Sequence, residues 1–518
     1  MAHQLPFIDI AVLMMYMAGV VAYGCYFVRR SRAPDAFMRA GGMLPGWIVG
    51  LSIFGTYVSS ISFLALPGKA FSGNWNAFVF SLTLPCAAWI SARYFVPFYR
   101  GCGNISAYYH LENRFGPWAR SYAVICYLLT QMARVGSIMY LLALPLNVLL
   151  GWEMRLIILL TGGLVTLYTL LGGIEGVIYT DVVQSIVLIA GALVCVVLIP
   201  LTMPGGPSQL FRIAIRHHKF SLGGFGPSLV ESTFLVVMLY GLFMNLQNFA
   251  IDQSYVQRYL TVKSEREAKK SVWLSALLYI PVSAFFFFIG TALFAYYTAQ
   301  PALLPAAIQA EVASGKGDTV FPYFMVHALP PGMAGLLIAA VFAAAMSTIS
   351  SSLNCSATLT LCDLYKRFIR PEPGERESMG VLYASTFLWG LIGTGVALAM
   401  IHIKSALDTW WTLSGIFGGG VLGLFLLGYL GRGVNGAAAM AAVVIGVLAI
   451  SWMTLSPHAA RLPESLRNPL NQFMIPVVGT VTIMLVGFLL AAMLNRRTGT
   501  LTTTSRSSSI SKDPRLNS

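Results

Sequence analysis

Charge is what this chain has least of. Only 10% of its 518 residues are Asp, Glu, Lys or Arg, against about 25% in an average soluble domain. That scarcity, beside 57% hydrophobic residues, excludes a water-soluble chain divided into several domains. No hydrophilic stretch is long enough to hold a soluble catalytic, sensor or nucleotide-binding domain, and no Walker motif offers ATP its phosphate cradle. The seven cysteines (Cys25, Cys86, Cys102, Cys126, Cys195, Cys355 and Cys362) lack metal-ligand spacing and lie mostly in apolar runs. They read as small packing residues, with no disulfide framework expected. Nor do the His and Cys residues of the apolar segments form a nucleophile, an acid–base pair or a metal cluster, so the chain is not expected to be an enzyme.

What is present instead is a series of apolar stretches, each near the ~20 residues that cross a bilayer as a helix. They predict an all-α polytopic membrane protein with thirteen spans, at approximately 7–28, 46–70, 75–98, 119–149, 154–171, 175–202, 232–252, 271–299, 333–365, 378–402, 407–430, 434–455 and 470–494. The fourth is long enough to tilt or protrude. The first lacks a base before it and has bases after it, so it reads as a retained helix rather than a cleaved signal. Residues 495–518, rich in Ser and Thr with scattered bases, read as a disordered tail.

The net charge of +14 is unevenly distributed. Arg29, Arg30, Arg32 and Arg39 follow span one, and Arg93, Arg100, Arg114 and Arg120 follow span three. Arg258, Lys263, Arg266, Lys269 and Lys270 follow span seven, and Lys366, Arg367, Arg370 and Arg376 follow span nine. More bases lie in the tail. The positive-inside rule then predicts an outside N-terminus and a cytoplasmic C-terminus, in a plasma membrane and most simply a bacterial inner membrane. The positive charge is topological and does not mark a nucleic-acid partner.

Polar groups at bilayer depth narrow the function. In the ninth span, Ala344, Ser347 and Ser351 share one helical face, flanked by Thr348 and Ser350. Two readings stand: close helix packing through small residues, or neutral oxygens for a small monovalent cation. The second span, Gly50-Leu-Ser-Ile-Phe-Gly55-Thr-Tyr-Val-Ser-Ser-Ile-Ser62, ends at Pro67-Gly68. It reads either as a kinked helix or as a broken one whose freed carbonyls face a cavity. Arg134, halfway along the fourth span, costs ~2.5 kcal/mol or more at that depth and needs a partner. That partner is either a substrate carboxylate, which suits its planar fork, or a structural acid such as Asp181. Asp181 itself reads as a border or cap residue, or as a carboxylate for a cation or a proton. Asp252 is expected at the cytoplasmic end of span seven, as a latch or interfacial salt bridge.

Four blocks in order carry a resemblance: Gly41-Gly42-Met-Leu-Pro-Gly-Trp47, the run 172–184 that contains Asp181, Asp252-Gln-Ser-Tyr-Val-Gln-Arg258, and Ala343 to Tyr365. Together they make the chain similar, over essentially residues 7–490, to the sodium/solute symporters, nearest to their bacterial sodium/sialic acid branch. That resemblance implies a single transporter domain over 1–494 with the LeuT-like fold of two inverted five-helix repeats. The repeats would cover about 46–202 and 232–430, preceded by helix 7–28 and followed by two helices over about 434–494. The second and seventh spans would be the broken helices, with solute and sodium beside the breaks.

The resemblance also implies sites. A first sodium ion maps onto the carbonyls of Gly55, Val58 and Ala344 and the hydroxyls of Ser347 and Thr348. A second maps onto Asp181, Ser347, Ser350 and Ser351, implying two sodium ions per cycle. For the substrate, Arg134 matches a carboxylate-binding arginine, and Ser59 and Ser62 match hydroxyl contacts beside Ser60. Tyr57 stands where the branch has a threonine and Ser81 where it has a glutamine, so the pocket differs in shape. The implied activity is import of a small organic solute, first of all a sialic acid or other acidic sugar, coupled to Na+. A neutral sugar, inositol or a small monocarboxylate is the alternative, with proton coupling and a passive channel as further rivals.

Overall fold

The computed structural model describes residues 6–497, apart from 314–316, 403–405, 432 and 460–461. Most of the expected tail, 498–518, therefore lies outside the described residues. Among the described residues helices and their connecting loops make up the chain, and its one β-contact is an isolated bridge between Leu44 and Val262.

The elements that matter here are α1 (Phe7–Tyr26), α2 (Gly46–Tyr57), α3 (Ser60–Ser72), α4 (Pro117–Leu150), α5 (Met154–Leu201), α6 (Phe234–Ile251) and α7 (Gln253–Tyr259). They continue with α8 (Glu265–Ala299), α9 (Met333–Leu359), α10 (Glu375–Met400), α11 (Ala406–Leu430), α12 (Gly436–Leu455) and α13 (Ile475–Arg497). A further helical run, Trp75–Cys102, contains short 3-10 and π turns. Ten of the described helices are long and apolar enough to cross a membrane, and the bent pair α2–α3 makes up to eleven. The expected fifth and sixth spans are not separated by a loop. They are the two halves of the 48-residue α5, joined at Gly173 with φ 55° and ψ −160°, a conformation open to a residue without Cβ. The eleventh expected span corresponds to α11.

Local chemistry sets the helix ends. Ser264 caps α8, its hydroxyl accepting from the Glu267 amide at 3.2 Å. Thr233 caps α6 through the Val236 amide. α9, rich in Ala and Ser, is buried along nearly its whole length. Its small side chains let α5 and α2 approach closely, as small residues do in membrane bundles.

The loops after spans one, three, seven and nine meet at one end of the molecule. Arg39 donates to the Gly103 carbonyl at 2.6 Å, and Arg100 donates to the carbonyls of Tyr259 and Val262. Arg120 and Arg367 both pair with Glu112, at 2.8 and 2.9 Å. The base-rich loops thus share a face, as their charge pattern requires. Arg258 is the exception. It is expected among those loop bases, but it is completely buried in the helix bundle.

Candidate functional site

The site begins where α2 stops. Val58 leaves helical geometry (φ −82°, ψ 111°), and Ser59 turns its hydroxyl to the Ser62 amide as the cap of α3. Two helices bent by 58° result. The last intrahelical donor of α2 is the Val58 amide, bonded to the Phe54 carbonyl at 2.9 Å. Carbonyls from Gly55 onward therefore lack a next-turn amide, which is how a helix end offers oxygens to other groups. The Thr56 carbonyl is used twice: Arg134 Nη2 donates to it at 3.3 Å and Thr348 Oγ1 at 3.4 Å.

Gly55 lies against α9 and α5. A Cβ there would sit 2.6 Å from Ser185 Oγ and 3.1 Å from Ser347 Oγ, so the close approach depends on glycine. Thr348 also donates to the Ala344 carbonyl at 3.2 Å. The structure thus brings Gly55, Ala344, Ser347 and Thr348 into one neighbourhood, with Val58 buried at the break.

Asp181 lies beside this cluster, on the second half of α5, fully buried. Its Oδ1 accepts from Ser347 Oγ at 2.7 Å, and its Oδ2 accepts from Ser52 Oγ at 2.6 Å and from Arg258 Nη2 at 2.8 Å. Arg258 makes further hydrogen bonds in turn. Its Nε donates to Ser52 Oγ at 2.8 Å, its Nη1 to the Ser254 carbonyl at 2.6 Å, and its Nη2 also to Ser351 Oγ at 2.7 Å. Thr56 and Ser351 share a hydroxyl contact of 2.9 Å. Ser350 stands apart from the carboxylate, its hydroxyl donating to the Ser347 carbonyl of its own helix at 3.1 Å. Asp181 is therefore neither a border residue nor the partner of Arg134.

Arg134 faces a cavity of about 300 Å³ instead, at the small end of the range for ligand pockets. Tyr57, Ser59, Ser62, Ser81, Gln131, Asn248, Asp252, Tyr255 and Tyr279 line it, with Lys69 among the residues of α3. Of the expected substrate residues, Ser60 alone does not line it. As the first residue of α3 it is fully buried on another side, and its hydroxyl has no partner among the described residues. Tyr57 packs edge-on to Tyr279, with ring centres 4.7 Å apart, and its hydroxyl donates to Asn245. Ser81 shares a 2.8 Å hydroxyl contact with Ser283, so its reach into the cavity is short.

Asp252 departs from expectation. The chain does not enter a loop there. α6 ends at Ile251, Asp252 is extended (φ −72°, ψ 125°), and its Oδ1 accepts from the Ser254 amide at 2.7 Å to cap α7. The seventh span is thus broken as the second is, and Asp252 lines the cavity at the break. Gln131 donates to its Oδ2 at 3.4 Å. The sequence reading gave Ser52 no role and placed Arg258 among the loop bases. The available signal was the density of polar residues from Asp252 to Arg258, Asp-Gln-Ser-Tyr-Val-Gln-Arg, directly after an apolar run.

A family model described as the sodium:solute symporter family matches residues 37–446. The chain belongs to that family. It is 34% identical over 495 residues to the sodium/sialic acid symporter SiaT of Proteus mirabilis, covering 95% of this chain and 96% of that protein. It is also 34% identical to the sodium/sialic acid symporter NanT of Aliivibrio fischeri, covering 95% and 94%. Among solved structures, it superposes on the substrate-bound, outward-open state of a Na+-coupled sialic acid symporter with a TM-score of 0.86 and 33% identity, over 94% of this chain and 98% of that one. The nucleobase-cation symporter Mhp1, at 16% identity and a TM-score of 0.56, shares the fold. These two structural matches establish the expected LeuT-like fold of the chain.

Proposed function

We propose that this protein imports an acidic sugar of the sialic acid class together with sodium, by alternating access across the plasma membrane. The observation that carries the reading is the Thr56 carbonyl, which receives hydrogen bonds from both Arg134 and Thr348. One peptide group thereby joins the cation that would hold a solute carboxylate to the hydroxyl that would help hold sodium. Sodium bound by Gly55, Val58, Ala344, Ser347 and Thr348 would stiffen the end of α2 and so order the floor of the solute pocket. Linkage then requires sodium to raise solute affinity and solute to raise sodium affinity by the same factor.

Arg134 takes the carboxylate through its fork, while Asp252, Ser59 and Ser62 accept or exchange hydrogen bonds with solute hydroxyls. Asp181 with Ser347 and Ser351 supplies a second sodium site, for two ions per solute. Helices α2 to α5 and α6 to α11 form the two inverted repeats, a reading supported by the break in the first helix of each. The base-rich face is cytoplasmic, with the N-terminus outside and the C-terminus inside. Tyr57 adds bulk where the branch has a threonine, and Ser81 lacks the amide reach of a glutamine, so the pocket differs in shape, which keeps a smaller carboxylate as the second reading.

The test is solute binding to purified protein by calorimetry, in sodium and then in choline at fixed pH. The panel spans sialic acids, glucose, galactose, inositol, proline and small monocarboxylates. Binding of a sialic acid in sodium and its loss in choline is the expected result. Sodium-dependent binding of a neutral ligand alone would make Arg134 structural, and equal binding in both buffers would remove sodium coupling.

A further inference from the structure

Asp181 already has a cation. Arg258 Nη2 lies 2.8 Å from Asp181 Oδ2 and 2.7 Å from Ser351 Oγ, bridging the carboxylate to the serine. A sodium ion held by both oxygens would have to take that bridging position. Both side chains of the ion pair are completely buried, so water screens neither charge. A second cation beside the same carboxylate would be repelled strongly at such low dielectric, and a carboxylate left alone there would pay a large desolvation cost.

The position of Arg258 in the chain gives the exchange a consequence. Arg258 is carried by α7, the seven-residue helix that Asp252 caps. Its Nη1 donates to the Ser254 carbonyl in the first turn of the same helix. Movement of the guanidinium away from Asp181 therefore pulls on the helix whose capping carboxylate lines the solute cavity.

Building on the sodium-coupled reading above, we propose that Arg258 is a tethered cation that changes places with sodium at Asp181. Sodium entering between Asp181 and Ser351 displaces the guanidinium and shifts α7 under the solute site. When the ion leaves, Arg258 returns, and the empty carrier reorients without a bare buried carboxylate. Arg258 is thus a positioning residue, acting on the solute through α7.

The experiment is sodium titration of the full-length protein in nanodiscs, with choline as replacement, read by calorimetry and by the sodium-induced rise in melting temperature. In Arg258→Gln the half-saturating sodium concentration should fall on the order of tenfold, because the competitor for Asp181 is gone. The variant should also melt earlier than wild type in choline and recover in sodium. An unchanged half-saturating concentration, or a stability loss equal in both buffers, would make Arg258 purely structural and overturn the exchange. Should Arg258→Gln fail to fold, Arg258→Lys carries the test, since it keeps the charge and loses the fork. A lower half-saturating sodium concentration in that variant supports the exchange, and an unchanged one overturns it. Failure of the wild-type protein itself to respond to sodium would sink the symporter reading instead, so the two failures are distinguishable.

Discussion

The molecule holds two arginine–aspartate couples a few turns apart, and they behave oppositely. Arg258 and Asp181 touch at 2.8 Å in a dry pocket where every neighbouring hydroxyl is engaged. Arg134 and Asp252 line one cavity without forming an ion pair, Arg134 resting on the Thr56 carbonyl and Asp252 on the Ser254 amide. The same two side-chain chemistries thus make a closed couple in one place and an open one in the other. An open couple costs stability, and it is kept where a ligand with its own charge and hydroxyls can complete it. A closed couple is complete already and admits another ion only by exchange.

The largest expected effect breaks the closed couple. Asp181→Asn leaves the Arg258 guanidinium buried without its counter-charge, which should cost about 3–5 kcal/mol of stability. Thermal or denaturant unfolding in choline would measure it. Asp252→Asn, which retains the cap of α7, should cost no more than about 1 kcal/mol in the same assay. Equal losses at the two aspartates would erase the distinction. The Asp181→Asn protein should also show a sodium Hill coefficient near one; a value near two would remove Asp181 from the sodium sites.

Next comes the open couple. Arg134→Ala should weaken binding of an acidic solute by about 100-fold at saturating sodium, as loss of a charge-assisted fork does. Calorimetry on the purified variant is the check, and near-normal affinity would assign Arg134 to structure alone. The smallest of the three effects tests the bridge between the regions. Thr348→Ala removes one hydroxyl of the proposed first sodium site and its bond to the Thr56 carbonyl, and should raise the half-saturating sodium concentration by roughly tenfold. Unchanged sodium activation would take Thr348 out of the first ion site.

Much of this was legible in the chain. The spans are long apolar runs, and a bilayer selects helices of that length because no water is available to satisfy their backbone. The break of α2 is visible as Gly55 and Ser59 in mid-span, and the hydroxyl face of α9 as Ser347, Thr348 and Ser351. Asp252 and Arg258 were misread for a common reason. An apolar run followed by charged residues looks like the end of a span, whereas α7 carries its polar side chains into the bundle and buries all seven of its residues. Ser60 was misread because adjacent residues at a helix start point to different sides, so that Ser59 reaches the cavity and Ser60 does not.

By itself the sequence determined a helical membrane chain, the face on which its bases collect, and the polar residues that must find partners at depth. Those properties follow from the transfer of side chains and peptide groups out of water, which depends on composition and spacing along the chain. The pairing of charges was decided only in three dimensions. Asp181 had two arginines available, and the choice of Arg258 over Arg134 rests on which side of α7 and α4 faces α5, a matter of packing that no spacing encodes. The cavity followed from that choice, since with Asp181 satisfied elsewhere Arg134 was left to face Asp252 across open space.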